Sequence, residues 1–365
     1  MKNISFLDVG ALNKTLEKQM GEAFKRVLDN GNYILGVELG GFEKNFAHYN
    51  SVNYCIGVAS GLDALHILLK CYGIGEGDEV IVPTHTFIGT WLAVTKTGGI
   101  PVPVEPDIET FNINPNLIAT AITSKTKAII PVHLYGRPAD LDLINKTAKE
   151  NNLLVIADAA QSHGSKYKNN SPETLVHGSA TSFYPGKNLG ALGDGGAILT
   201  NNENIAIKAK ELRNYGSAIK YSHNIIGENS RLDEIQAAFL TAKLKLLDHW
   251  NDERNRVAKR YLKNINNKNI KTPSFPEDSY SAWNLFVIMT ANRDGLRNYL
   301  YENGIVTGIH YPIPPHKQKC YSEFNKMSFP IAEKISNQAL SLPMSPLLSD
   351  QEVDYISEKI NSFIS

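Results

Sequence analysis

An excess of charge of either sign is missing from this chain. Lys plus Arg number 37 and Asp plus Glu number 37, so the formal net charge is zero. That excludes a protein held on nucleic acid by bulk charge. Cysteine is scarce: Cys55, Cys71 and Cys320 show no CxxC spacing, and an odd count makes no disulfide framework. The usage suits a reducing cytosol. Long apolar runs are also missing. Leu153 to Ala157 is among the longest, far short of the ~20 residues of a membrane helix. The opening MKNISFLDVGALNK is broken by Asp8, so it does not read as a signal peptide. There is no internal repeat, low-complexity tract or charge block, and no Walker P-loop, because Asn188 follows Lys187 and Thr181 stands where a glycine is required. The expectation is a soluble, cytoplasmic protein.

What is present is an ordinary globular composition, 42% apolar and 20% charged over 365 residues. At about 150 residues per domain this suggests two domains. Leu62, Leu65, Leu68, Leu69 and Tyr72 share one helical face, and Gly73 ends that helix. Asp78 to Pro83, Lys127 to Val132 and Leu153 to Asp158 read as short buried strands, and Leu141 to Asn151 as a helix. Gly99 to Val104 carries two prolines and fits only a short or edge strand. Alternating strands and helices imply a mostly parallel sheet covered on both faces. Arg231 to about Leu262 is helical but too long for one helix, which predicts a break inside it. The domain change is placed near 245: a large α/β domain over 1–245 and a smaller α+β domain over 246–365. The latter should hold a strand at Leu285 to Thr290, a helix at Arg293 to Asn303, a strand at Ile305 to Tyr311, and a last helix opened by the capping box Ser349 to Glu352.

Three stretches could carry chemistry. Gly57-Val-Ala-Ser60-Gly61-Leu62 enters a helix, and free backbone N–H groups there can bind an anion. An ordinary Ser-Gly helix start reads the same way. Asp158, in DAAQSHG, ends a buried strand, where α/β folds bind ligands. A helix N-cap fits it equally well. His163 in the same stretch suits a proton carrier or a hydrogen-bonded structural histidine. Lys187 is presented on the turn of SFYPGKNLGALGDGGA, between strand-like segments, as either a solvated lysine or a desolvated reactive amine. His310 and His316 do not make a metal site: prolines separate them and no third ligand is in view.

Taken together, GDEVIVPTHTFIGT, KAIIPVHLYG, DAAQSHG, SFYPGKNLGALGDGGA, LRNYGS and NSRLDEIQAAFL resemble, in order and over nearly the whole chain, the DegT/DnrJ/EryC1/StrS sugar aminotransferases. The resemblance implies fold type I of the pyridoxal-phosphate enzymes, the aspartate aminotransferase-like fold. It implies pyridoxal 5′-phosphate, alternating with pyridoxamine 5′-phosphate, as cofactor. Lys187 would bind the cofactor aldehyde covalently and then carry the proton. Asp158 would keep the pyridine nitrogen protonated, and Gln161 would bond the ring hydroxyl. Gly61, Leu62 (through its backbone only) and Ser182 would hold the phosphate. Phe87 would stack on the ring, and Asn229 would reach the site of a partner subunit in a homodimer.

Leu62 in place of the frequent Thr, and Gly186 before the lysine, resemble the subgroup making 3-amino sugars. In that subgroup Tyr184, His310 and Tyr311 would face the substrate. The implied reaction moves the amino group of L-glutamate to a nucleotide-linked keto-sugar, a dTDP-3-keto-6-deoxyhexose, giving a dTDP-3-amino-3,6-dideoxyhexose. A 4-keto sugar or a UDP or GDP carrier is the alternative. A dehydratase would carry His at 187, and a regulatory scaffold would have lost the cofactor set. No nucleic acid, membrane or metal partner is expected.

Overall fold

The computed structural model describes residues 3–274 and 278–364. Its centre is a seven-stranded sheet in the order Tyr54–Val58, Gly196–Thr200, Gly178–Ser182, Leu154–Asp158, Thr126–Ile129, Glu79–Pro83, Ile100–Val104. All neighbours pair in parallel except Gly196–Thr200, which runs antiparallel to both of its neighbours. The proline-bearing strand Ile100–Val104 lies at the edge, where a residue without an N–H breaks no ladder.

Alternation along each strand covers both faces. Ile56, Val58, Val80, Val82 and Ile156 join one apolar cluster with Leu65, Leu68 and Trp91. Ile81, Ile129 and Val155 point the other way, onto Ile144 and Ile118. Cys55 and Leu199 meet Phe42, Phe46 and Phe183. A strand buried on both faces must read as a continuous apolar run, and these do. The helix Gly61–Cys71 starts at Ser60, whose Oγ accepts the N–H of Asp63 at 3.1 Å, and stops before Gly73.

The expected break falls between the helices Glu234–Leu244 and Leu247–Asn264. Beyond it, Val257, Tyr261, Phe286, Ile288, Leu296, Leu340, Val353 and Ile356 form a separate cluster that also takes in Ile4. Phe286–Met289 pairs antiparallel with Ala339–Leu342. The last helix, Asp350–Ser362, carries the predicted capping box. Ile305 to Tyr311 is not a strand. Among the described residues it pairs at two points, Ile4 with Ile305 and Gly308 with Ser341, because it has a different partner on each side and stays beside neither. Among the described residues no helix is long and apolar enough to cross a membrane, and no cluster of His, Cys, Asp and Glu could hold a metal.

Candidate active site

The sequence motifs meet at one edge of the sheet because five chain segments turn there. The strands Tyr54–Val58, Glu79–Pro83, Leu154–Asp158 and Gly178–Ser182 end at this edge, and Gly196–Thr200 begins at it. A buried strand delivers its last side chain to the same place in every copy of the fold, so this edge is the natural seat of a rigid site.

Asp158 sits there, deep but with part of its surface still accessible. Thr90 Oγ1 donates to its Oδ2 at 2.8 Å and Ala160 N to its Oδ1 at 3.2 Å. Burial raises its pKa, while these two bonds and the charge of Lys187 oppose that rise. Thr90 is itself bonded to Thr86 at 2.9 Å.

Lys187 lies on the loop that follows Ser182. The loop is closed by Lys187 N to Tyr184 O at 2.9 Å and Ala191 N to Phe183 O at 2.8 Å. Its Nζ makes no hydrogen bond or ion pair among the described residues. Burial pulls its pKa from 10.5 down to about 8, and the Asp158 charge limits the fall. The same cation bears on His163 and His310. It is a desolvated amine within electrostatic reach of a carboxylate.

Gln161 is held at both ends: its Oε1 accepts Tyr135 N at 2.6 Å and its Nε2 donates to the Tyr311 hydroxyl at 3.0 Å, with one amide proton to spare. The Tyr135 hydroxyl donates to the His310 carbonyl, so it accepts from His85 Nε2 at 2.8 Å. Burial drops His85 to about 3, so it stays neutral. These bonds assign its proton to Nε2, and its buried Nδ1 is without a partner among the described residues. His310 Nδ1 meets Ser341 Oγ at 2.8 Å, and its ring stacks on Phe6 with centroids 5.6 Å apart. Phe87 stands 57% exposed, 5.5 Å from the Tyr311 ring, and Tyr184 is 60% exposed. His163 is structural. Burial lowers it to about 3, and its Nε2 meets Thr181 Oγ1 at 2.9 Å.

Gly61 touches Ser182: a Cβ on Gly61 would lie 2.6 Å from Ser182 Cβ. Only glycine permits this approach, which sets the Ser182 hydroxyl beside a helix start whose Gly61 and Leu62 N–H groups have no partner among the described residues. Three free donors thus flank one small space, as an anion requires. Ser230, buried, braces this turn by accepting Ala59 N at 3.1 Å and donating to Asp63 Oδ2 at 2.8 Å.

Asn229 is not brought into this group. It is exposed, its backbone pairs with Asn214, and its side chain has no hydrogen bond among the described residues. Thr90, His85, Tyr135 and Ser230 were not singled out from sequence, although each lies inside a quoted motif. The one signal they had in the sequence was membership of those motifs. An anion cradle, a buried carboxylate and a free amine together fit a phosphorylated pyridine aldehyde.

Residues 14–361 match the DegT/DnrJ/EryC1/StrS aminotransferase family. The chain is 50% identical over 360 residues, 99% of each sequence, to dTDP-3-amino-3,6-dideoxy-alpha-D-galactopyranose transaminase of Aneurinibacillus thermoaerophilus. It superimposes on S. venezuelae DesV, solved with a ketimine intermediate, with a TM-score of 0.97, 43% identity and full coverage of both chains. NtdA from Bacillus subtilis, solved with the cofactor PMP, gives a TM-score of 0.92 and 34% identity, covering 99% of this chain and 85% of that one. The chain belongs to the DegT/DnrJ/EryC1/StrS aminotransferase family, with the aspartate aminotransferase-like fold and pyridoxal phosphate as its cofactor.

Proposed function

We propose that this aminotransferase carries the amino group of L-glutamate to a dTDP-3-keto-6-deoxyhexose, producing a dTDP-3-amino-3,6-dideoxyhexose. The observation that carries the chemistry is the free Lys187 amine within reach of the Asp158 carboxylate, beside an anion cradle. The choice of sugar is supported by the half-identical Aneurinibacillus relative, which its name describes as a dTDP-3-amino sugar transaminase. A 4-keto sugar or a UDP or GDP carrier is the competing outcome of the test below.

When bound, pyridoxal phosphate supplies an aldehyde that accepts the amino group and a protonated ring that withdraws electrons from the reacting carbon. Asp158 holds the proton at the pyridine nitrogen, and Thr90 and Ala160 keep its carboxylate oriented. Gly61, Leu62 and Ser182 bind the phosphate. Gln161, with one amide proton to spare, would bond the ring hydroxyl, and Phe87 would cover the ring. Lys187 removes and returns the proton at the substrate carbon; an amine at about 8 can do both near neutral pH. Tyr184, His310 and Tyr311 form the substrate side of the cleft.

The working unit we propose is a homodimer in which Asn229 completes the partner's phosphate site. Support comes from its unused, exposed side chain and from the exposed apolar residues Tyr33, Val37, Ile219, Tyr221 and Ile226. The free cysteines suit a cytoplasmic setting. The division near 245 follows the bend between two helices, with Ile4 travelling with the smaller unit.

The test is a panel of dTDP-, UDP- and GDP-linked 3-keto and 4-keto sugars offered with glutamate, the new nitrogen being located by NMR. Turnover at C3 of the dTDP sugar is expected. Turnover confined to a 4-keto or UDP sugar overturns the substrate assignment but not the chemistry.

A further inference from the structure

Two elements bring the reacting groups together: the strand that ends in Asp158, with the turn that leaves it, and the loop that carries Lys187. One side chain from a third element touches both. Asn251, in the helix Leu247–Asn264, is fully buried. Its Oδ1 accepts Asn188 Nδ2 at 2.8 Å, and its own Nδ2 donates to the His163 carbonyl at 2.8 Å. Asn188 directly follows Lys187 and is fixed again by Nδ2 to Ala282 O at 2.6 Å and by Asn284 Nδ2 to its Oδ1 at 3.0 Å. His163 lies on the turn that begins at Asp158. The close approach is written into the sequence at Gly164, where φ is +77° and a Cβ would stand 2.6 Å from Asn251 Nδ2.

We propose that Asn251 is a positioning residue that sets the separation of Lys187 from Asp158, by tying Asn188, the neighbour of Lys187, to His163, on the turn that leaves the strand ending in Asp158. This rests on the reading of Lys187 and Asp158 as the reacting pair. The amide is planar and rigid, with its acceptor and its donor facing different elements. Both bonds are shielded from water, so nothing replaces them when they are lost. A displacement of about 1 Å in such a site can cost on the order of a hundredfold in rate. The amine of Lys187 feels both its burial and the Asp158 charge, so slippage between the two elements is readable there without turnover.

Asn255, one turn further along the same helix, is the control. It is 6% exposed, donates to Asn251 O at 2.9 Å and Ser281 O at 3.0 Å and accepts Trp283 Nε1 at 3.1 Å, and among the described residues its side chain has no hydrogen bond to the Lys187 loop or to the Asp158 turn, so its loss tests the helix backbone around Asn251 without removing the Asn251 side chain.

The experiment compares full-length Asn251→Ala, the milder Asn251→Ser, Asn255→Ala and Lys187→Ala. In the apo-proteins, acetylation of Lys187 is mapped by mass spectrometry against pH, and melting temperature is recorded. In the loaded enzymes, kcat is measured. Wild-type labelling should have its midpoint near 8. Asn251→Ala should move it up, because relief of burial, the larger influence on this amine, outweighs the weakened Asp158 charge as water enters, and should lower kcat by about tenfold to a hundredfold. Asn251→Ser should follow in the same direction. Asn255→Ala should lose a similar amount of melting temperature yet keep its midpoint and its kcat within about twofold, a difference that ordinary loss of packing would not produce. The proposal is overturned if the Asn251 variants keep both values, if Asn255→Ala moves both as far, or if neither Asn251 variant folds. Lys187→Ala separates the two questions: if it turns over, the catalytic reading itself fails. If it is inactive while the Asn251 variants behave as wild type, only the positioning role is lost.

Discussion

Protonation of Lys187 decides how fast the apo-protein captures its cofactor, because only the neutral amine attacks an aldehyde. An ordinary lysine at 10.5 is neutral in about 3 of 10,000 molecules at pH 7; one at about 8 is neutral in roughly one of eleven, ~300-fold more. Asp158 holds the value up, since its charge favours the ammonium. Asp158→Asn removes that charge at nearly constant size and should send Lys187 below 8. The assay mixes apo-protein with pyridoxal phosphate between pH 6 and 10 and follows the long-wavelength absorbance of the covalent Lys187 adduct by stopped flow, with a simple alkylamine correcting for the cofactor's own ionisation. The wild-type rate should climb about tenfold per pH unit and level off near pH 8. In Asp158→Asn the plateau should begin at lower pH, so capture at neutral pH becomes faster. Turnover should nevertheless collapse, because an amide cannot hold the ring proton. A wild-type plateau near 10.5, or an upward move in the variant, would refute the electrostatic coupling.

Lys187→Ala should abolish transamination with little change in melting temperature, and mixing it with Asn229→Ala chains should restore part of the activity; no recovery in proven mixed dimers counts against the shared site. Glu234, buried at the start of its helix, accepts Gly36 N at 2.6 Å, Glu38 N at 2.9 Å and Leu39 N at 3.1 Å. Glu234→Ala leaves those donors unpaired and should cost about 3–5 kcal/mol in urea unfolding; a loss below about 1 kcal/mol would show that water replaces the carboxylate. Lys243, 2% exposed, donates to Gly190 O at 2.6 Å, and burial lowers it to about 8. Between pH 8 and 10.5 the unfolded chain therefore binds more protons at this site than the folded one, so its contribution to stability rises with pH across that window. The stability difference between wild type and Lys243→Met, measured by urea unfolding from pH 7 to 10.5, should shift in favour of wild type as pH rises; a pH-independent difference contradicts the lowered value.

Local features were legible because local physics decides them. The stop at Gly73, the edge position of Ile100–Val104, the break after Leu244 and the capping box at Ser349 each depend on a few neighbouring residues. The positions of Lys187 and Asp158 were legible through whole motifs. Their electrostatic coupling was not, since the charge of one acts on the other only once the crossover that sets Gly178–Ser182 beside Leu154–Asp158 is folded. Thr90, 68 positions from the aspartate it donates to, carries no sign of that bond in its own surroundings. Ile305 to Tyr311 has strand-like composition, but a strand is defined by its partner, and this segment changes partner midway. Asn251 was invisible for the same reason: its two bonds span 63 and 88 positions.

The contact at Ile4 has a practical side. Ile4 N donates to Gly304 O at 2.8 Å, and Val306 N returns a bond to Ile4 O at 3.0 Å, so the first described residues are stitched to a segment three hundred positions away. Anyone recombining this enzyme with a relative to exchange sugar preference therefore faces two crossovers rather than one. A graft of the C-terminal third alone would pair its Gly304–Val306 backbone with a foreign leader and set a foreign Phe6 equivalent against His310. Moving residues 3–7 together with that third keeps the seam native.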